Sequence, residues 1–156
     1  LLGPGSTCCM IAQILCKMNN IIIVTNAINF ESQLEANNAR LIFLGGEYDK
    51  HNGSVTGTFA LDALSSMNID KFFLGTSGIT PQFDITSFEI SNNLIIKTMI
   101  QRSKEVILVA DYTKFGKSMA IKIADLDAID VIITNKELDP SVIQEIQNNN
   151  KTLILT

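Results

Sequence analysis

Residues 71–81 read KFFLGTSGITP, and the way this stretch breaks decides the fold. Phe72-Phe73-Leu74 is a short apolar run that stops abruptly at Gly75-Thr76-Ser77-Gly78. A continuous apolar run, rather than strict alternation, suits a strand covered on both faces, as in a parallel sheet. Five further runs share this character: IIIVT (21–25), RLIFLGG (40–46), EVILVAD (105–111), IDVIIT (129–134) and TLILT (152–156).

Helical patterns separate these runs. Cys8, Ile11, Ala12, Leu15 and Met18 recur at helical spacing, with Ser6 or Thr7 available as N-cap. Residues 59–67, 91–102 and 140–147 also read as helices, the last opened by Asp139 before Pro140 at the first helical position. Strands alternating with helices imply right-handed crossovers and an α/β fold built on an open, mostly parallel sheet with helices on both faces. Neither a repeat nor a linker interrupts the 156 residues, so residues 1–156 read as one domain. The opening LLGPGST reads as the end of a strand entering a loop, as if the chain began partway through a larger protein.

Composition narrows the function classes. With 46% hydrophobic residues the chain can bury a substantial core. A net charge of −4 and the lack of any basic block disfavour direct binding to nucleic acid. Cys8, Cys9 and Cys16 form no spaced disulfide framework, which points to small helix-packing residues in a reducing compartment, the cytoplasm. The only histidine, His51, is far from them, so no metal site is expected, and no cofactor motif is present. No apolar run approaches the ~18 to 20 residues needed to cross a bilayer.

In sheets of this kind ligands bind outside the carboxyl ends of the strands. The residues there are Gly3-Pro4-Gly5-Ser6-Thr7, Thr25-Asn26, Gly45-Gly46, Gly75-Thr76-Ser77-Gly78, and Asp111 leading to Lys114. Nearly all are glycine, hydroxyl or amide residues, which offer backbone N–H groups and neutral hydrogen bonds to an anionic, hydroxyl-rich ligand. Ser6-Thr7 would open a helix whose unpaired N–H groups form an anion site. No lysine follows the glycines, so this is not a Walker loop, and the dinucleotide fingerprint is absent too. Lys97 and Lys114 are candidate point charges for a phosphate, with a solvated surface role as the alternative for each. Asp111 reads either as a ligand group or as a structural turn holding Lys114. His51, Asp49 and Glu47 sit in a polar glycine-rich loop and read as facing water. No Ser-His-Asp or Cys-His arrangement can be drawn, so no catalytic residue is assigned.

The segments GPGSTCCMIAQIL, IIIVTNAI, LIFLGGEYDKHNGSVTG, DKFFLGTSGIT, IIKTMIQRSKEVILVADYTKFGK and IDVIITN resemble, in order and spacing, the C-terminal effector-sensing domain of the DeoR family of bacterial transcriptional repressors. The resemblance implies a fold similar to ribose-5-phosphate and glucosamine-6-phosphate isomerases. It also implies a sensor of a phosphorylated sugar, which controls DNA binding through an N-terminal winged helix-turn-helix domain absent from this chain. Such repressors usually assemble as dimers or tetramers, so a homo-oligomer is expected.

Carried across, Gly5, Ser6 and Thr7 match the first phosphate-cradling loop, and Thr25 and Asn26 match the second strand end. Gly75, Thr76, Ser77, Gly78 and Ile79 match the second ligand loop, while Asp111, Lys114, Phe115 and Gly116 match the aspartate-to-lysine turn. The family's acidic positions and lysine-arginine pair on the following helix read here as Ser91-Asn92-Asn93 and Ile96-Lys97. The related isomerases move a proton with carboxylates. The loop at Gly75 to Gly78 has none, so the expectation is binding without catalysis. The alternative is an isomerase-like enzyme using Asp84 or Glu89, in a stretch that reads as flexible.

Overall fold

The computed structural model describes residues 1–28, 30 and 38–156. Its backbone is one parallel sheet built from β1 (Ile22–Thr25), β2 (Arg40–Phe43), β5 (Ile69–Gly75), β8 (Ser103–Val109), β10 (Val131–Thr134) and β11 (Thr152–Leu155). The opening residues join its two halves. Leu2 bridges Thr25 on one side and Phe73 on the other, both in parallel. The ladder there is made by the Leu2 N–H on Val24 O at 2.9 Å and the Gly3 N–H on Phe73 O at 3.1 Å. The order across the sheet is therefore β2-β1-Leu2-β5-β8-β10-β11.

Among the described residues four α-helices cover this sheet: α1 (Ser6–Leu15), α2 (Thr58–Ser65), α3 (Asn93–Arg102) and α4 (Pro140–Asn148). The period-2 alternation of strand side chains sorts them by face. Phe72, Leu74, Val106, Leu108 and Ile132 point into one core with Leu64 of α2, Met99 of α3 and Ile146 of α4. Phe73, Ile107, Val109 and Ile133 point the other way, onto Cys8 and Ala12 of α1 and Cys16 just after it. The chain runs outward from Leu2 to β1 with α1 on one face, and from β5 to β8 in the opposite direction with α3 on the other. Right-handed crossovers require the face to change when the direction of travel reverses.

Two antiparallel pieces complete the fold. β3 (Glu47–Asp49) and β4 (Ser54–Thr56) form a hairpin. β6 (Gly78–Ile79), β7 (Ile85–Ser87) and β9 (Ile121–Ala124) form a small sheet beyond the end of β5. The stretch holding Asp84 and Glu89 is thus ordered rather than flexible. Thr80 closes its turn, accepting the Asp84 N–H on its hydroxyl at 3.0 Å and the Phe83 N–H on its carbonyl at 2.9 Å.

The first helix differs from expectation at both ends. Gly5, at φ 120°, occupies the N-cap, and neither Ser6 nor Thr7 makes a capping bond; both begin the helix instead. Only glycine enters that backbone region without strain. The helix stops at Leu15, so Met18 lies outside it and is 47% exposed, while Cys8, Ala12 and Cys16 carry the buried face. Cysteine suits this face because it is small and apolar enough for close helix–sheet contact.

Candidate functional site

Strand order reverses between Leu2 and β5, and an open α/β sheet leaves a crevice at the carboxyl side of such a reversal. A cleft of about 310 Å³ lies there. Its floor is the Gly3-to-Cys8 segment, the ends of β5 and β8, and Ile123. Its walls are the hairpin tip at His51 and Asn52, the residues after β7 at Ser87 and Glu89, and the start of α3 at Asn92 and Ile96.

The α1 end of the cleft is a cluster of unused donors. The first intrahelical bond is the Cys9 N–H on Gly5 O at 3.0 Å. The N–H groups before it have no helical acceptor, and the positive end of the helix dipole points the same way. The hydroxyls of Ser6, Thr7 and Ser77 make no hydrogen bond among the described residues, although all three line the cleft. The glycine loop lies tight against the end of β5. A Cβ on Gly75 would sit 3.4 Å from Pro4 O and 3.7 Å from Cys8 Sγ.

Thr76 works differently from its neighbour Ser77. Its hydroxyl lies 2.8 Å from Thr86 O and 3.0 Å from Gly78 O, so it locks the turn to the small sheet. Gly78 is required by close approach: a Cβ there would lie 2.6 Å from Lys117 O and 3.1 Å from Thr86 Oγ1. Gly78 and Ile79 are buried in β6 and do not reach the cleft wall.

Asp111 and Lys114 form one unit. Asp111 caps a 3₁₀ turn over Tyr112–Lys114, accepting the Thr113 N–H at 2.9 Å and the Thr113 hydroxyl. These bonds, the hydroxyl foremost, hold its carboxyl below the usual range, with Lys114 adding to the effect. The Lys114 ammonium lines the cleft and makes no ion pair or hydrogen bond among the described residues. The Cys8 thiol lines it as well, but burial pushes its pKa up to about 12. It is a packing group rather than a nucleophile.

Thr25 and Asn26 lie outside the cleft lining and are fully buried. The Thr25 hydroxyl donates to Leu2 O at 2.9 Å and accepts the Ala27 N–H at 3.0 Å, so it welds β1 to the central bridge. Asn26 donates to Val55 O at 3.0 Å and contacts Asn92, whose side chain exchanges a hydrogen bond with buried Ser54. Together these residues anchor the β3–β4 hairpin and the start of α3 to the end of β1. Lys97 is exposed on α3 and is not part of the cleft.

The structure adds His51, Asn52, Ser87, Glu89 and Asn92 to the cleft. His51 thus lines the cleft rather than merely facing water as expected, and Glu89, named only in the enzyme alternative, joins it; the hairpin and the small sheet bring these residues there through tertiary contacts. Asp84 is not among them; it pairs with Lys122 at 2.7 Å.

A larger groove of about 630 Å³ lies at the amino edge of the sheet, lined by apolar residues such as Leu1, Ile22, Met67 and Phe73. Its two charged side chains are already committed, Asp70 to Lys104 and Lys71 to Glu105. The smaller cleft is the better candidate because unpaired polar groups converge on it.

The fold is an α/β domain, and its cleft is one on which unpaired polar groups converge. A family model described as the DeoR C-terminal sensor domain matches residues 1–136. The chain belongs to this family of sensor domains. It is 29% identical, over 97% of its length, to the glycerol-3-phosphate regulon repressor of Escherichia coli K12. It is also 31% identical, over 92% of its length, to the helix-turn-helix-type transcriptional regulator IolR of Bacillus subtilis. The chain spans 60% and 57% of those relatives' lengths, respectively. Among solved structures, a D-ribose-5-phosphate isomerase in complex with phospho-erythronic acid aligns with a TM-score of 0.48 and 14% identity, over 73% of this chain and 45% of that one.

Proposed function

We propose that this domain senses a phosphorylated sugar, holding the phosphate between the start of α1, the Gly75-to-Ser77 turn and Lys114. The observation that carries this reading is the convergence of free helix N–H groups, three unbonded hydroxyls and an unpaired ammonium in one cleft. A helix start with an adjacent lysine is the arrangement a phosphate dianion needs. The first-named relative is a repressor of a glycerol-3-phosphate regulon, which is consistent with a small phosphorylated polyol as effector.

In the longer cytoplasmic regulator that we infer, the ligand would bias a DNA-binding segment outside this chain. That coupling requires different ligand affinity in two states of the whole protein. Self-association would be served by exposed apolar side chains on α2 and near the start of α3, among them Phe59, Ile90 and Leu94. No helix among the described residues is long and apolar enough to cross a membrane.

The domain binds its ligand without turning it over. Asp84 is committed to Lys122, and Asp111 is committed to Thr113. Glu89 remains in the cleft as a single free carboxylate, which gives an isomerase-like second reading with Glu89 as the base. Incubation with ribose 5-phosphate separates the two. Turnover abolished by Glu89→Ala would establish the second reading, and saturable binding without turnover the first.

Thermal melting against phosphorylated sugars, their unphosphorylated parents and inorganic phosphate tests the sensor reading. A ligand at 100 times its Kd adds about 2.7 kcal/mol, which raises Tm by roughly 5 to 10 °C at this size. A shift with one phosphorylated sugar and none with its parent is the expected result. Equal shifts from the parent sugar would remove the phosphate from the account.

A further inference from the structure

Two carboxylates line the cleft, and only one is available to a ligand. Asp111 is consumed by the turn that presents Lys114. Glu89 makes no ion pair and no side-chain hydrogen bond among the described residues, although it is half-buried on the cleft wall. Its backbone is fixed: the Glu89 N–H donates to the Ser87 hydroxyl at 3.1 Å, and Ser87 is only 6% exposed at the end of β7. Of the acids around the hairpin and the small sheet, Asp49 is bonded to Ser91 and Asn52 and Asp84 is paired with Lys122, while Glu47 is exposed on β3 outside the cleft. The cleft thus carries an unpaired cation, Lys114, and an unpaired anion, Glu89, each fixed by its own local turn.

We propose that Glu89 is a specificity-determining residue that accepts hydrogen bonds from hydroxyls at the end of the ligand away from its phosphate. This rests on the phosphate reading above and narrows it. A partly desolvated carboxylate calls for donors, and its two oxygens can take both protons of a vicinal diol. The ligand class is a monophosphorylated polyol with at least two free hydroxyls. Glu89 also selects against ligands with a second phosphate at the far end, because that group would face a carboxylate. Repulsion of this kind supplies specificity that attraction alone does not.

Titration calorimetry of the wild type, Glu89→Ala, Glu89→Gln and Lys114→Ala tests it, with inorganic phosphate, glycerol 3-phosphate, ribose 5-phosphate, glucose 6-phosphate and fructose 1,6-bisphosphate as probes. The expected result is that Glu89→Ala weakens the tightest monophosphate polyol at least about tenfold while inorganic phosphate is unaffected. Glu89→Gln should be intermediate, and fructose 1,6-bisphosphate should gain affinity in both Glu89 variants. Both should melt like the wild type without ligand, since the carboxylate has no protein partner. Unchanged monophosphate affinity in Glu89→Ala, with phosphate binding lost in Lys114→Ala, overturns this inference alone. If no phosphorylated probe binds the wild type, or Lys114→Ala changes nothing, the phosphate reading falls and this inference with it.

Discussion

The Asp49 carboxylate accepts a 2.7 Å hydrogen bond from the Ser91 hydroxyl, joining a hairpin to the residue just before Asn92 and α3. Asp49 also accepts the His51 N–H at 3.0 Å and the Asn52 amide at 2.8 Å, so one carboxylate shapes the hairpin tip and moors it across the cleft. These bonds, that from Ser91 foremost, hold its carboxyl below the usual range. Ser91→Ala should free the tip without loosening the core. An exposed bond of this kind contributes little to stability, so the melting point should hardly move. Amide exchange at residues 50–53 should quicken, and calorimetry should show affinity for phosphorylated polyols reduced by a few-fold.

Gly78 is fixed by contact rather than by backbone angle. The 2.6 Å approach of a Cβ to Lys117 O must be relieved by moving backbone. Gly78→Ala should cost about 1 to 3 kcal/mol, read in chemical denaturation. It should also weaken ligand binding, because the same turn carries Ser77.

Asn92 is 1% exposed and bonded to Ser54, with Asn26 behind it. Asn92→Ala would strip partners from buried polar groups, and that costs about 1 to 3 kcal/mol. Asn26 Oδ1 already lacks a partner, so the network has no spare bond to compensate. Denaturant unfolding measures the loss directly. Lys97→Ala, on the exposed side of α3, should leave both stability and ligand affinity nearly unchanged.

The acid limb of the stability curve should carry a contribution from Asp111. Its folded pKa lies below its unfolded value of about 3.9. The stabilisation is therefore complete above the unfolded pKa and is lost as pH falls through the folded one. Thr113→Ala removes the main cause and should raise the Asp111 pKa in a carboxyl-detected NMR titration. No upward movement would mean that the cap does not set its ionisation.

How much of this was legible in the sequence depends on how each feature is held. The six main strands announced themselves as apolar runs, which burial on both faces explains for inner ones such as Val106 to Val109, while the edge strands β2 and β11 are apolar yet largely unburied. The hairpin β3–β4 and the sheet β6-β7-β9 did not, since segments such as EYD, SVT and ITS mix polar with apolar residues and form no continuous apolar run. The reading of LLGPGST as the end of a strand entering a loop holds, since Leu2 is paired in parallel on both sides, but which two strands it joins could not be read. Ser6, Thr7, Ser77, Asp111 and Lys114 could be nominated from their places after strands. Glu89 was legible only as the acid of an alternative enzyme reading, and His51, expected to face water, and Asn52 were not legible as cleft residues, because contacts distant in sequence bring them there. Thr25 and Asn26 also follow a strand, yet their side chains are spent on holding β1 in place.

The most direct test of the account is a backbone amide NMR titration of the ¹⁵N-labelled domain with the phosphorylated sugar that gives the largest melting shift. A phosphate held between the start of α1, the Gly75-to-Ser77 turn and Lys114 gives the largest, saturable changes at Ser6, Thr7, Gly75, Ser77 and Lys114, with smaller ones at Glu89. Changes confined to residues 20–24 and 67–71, around the apolar groove at the opposite edge of the sheet, would contradict it.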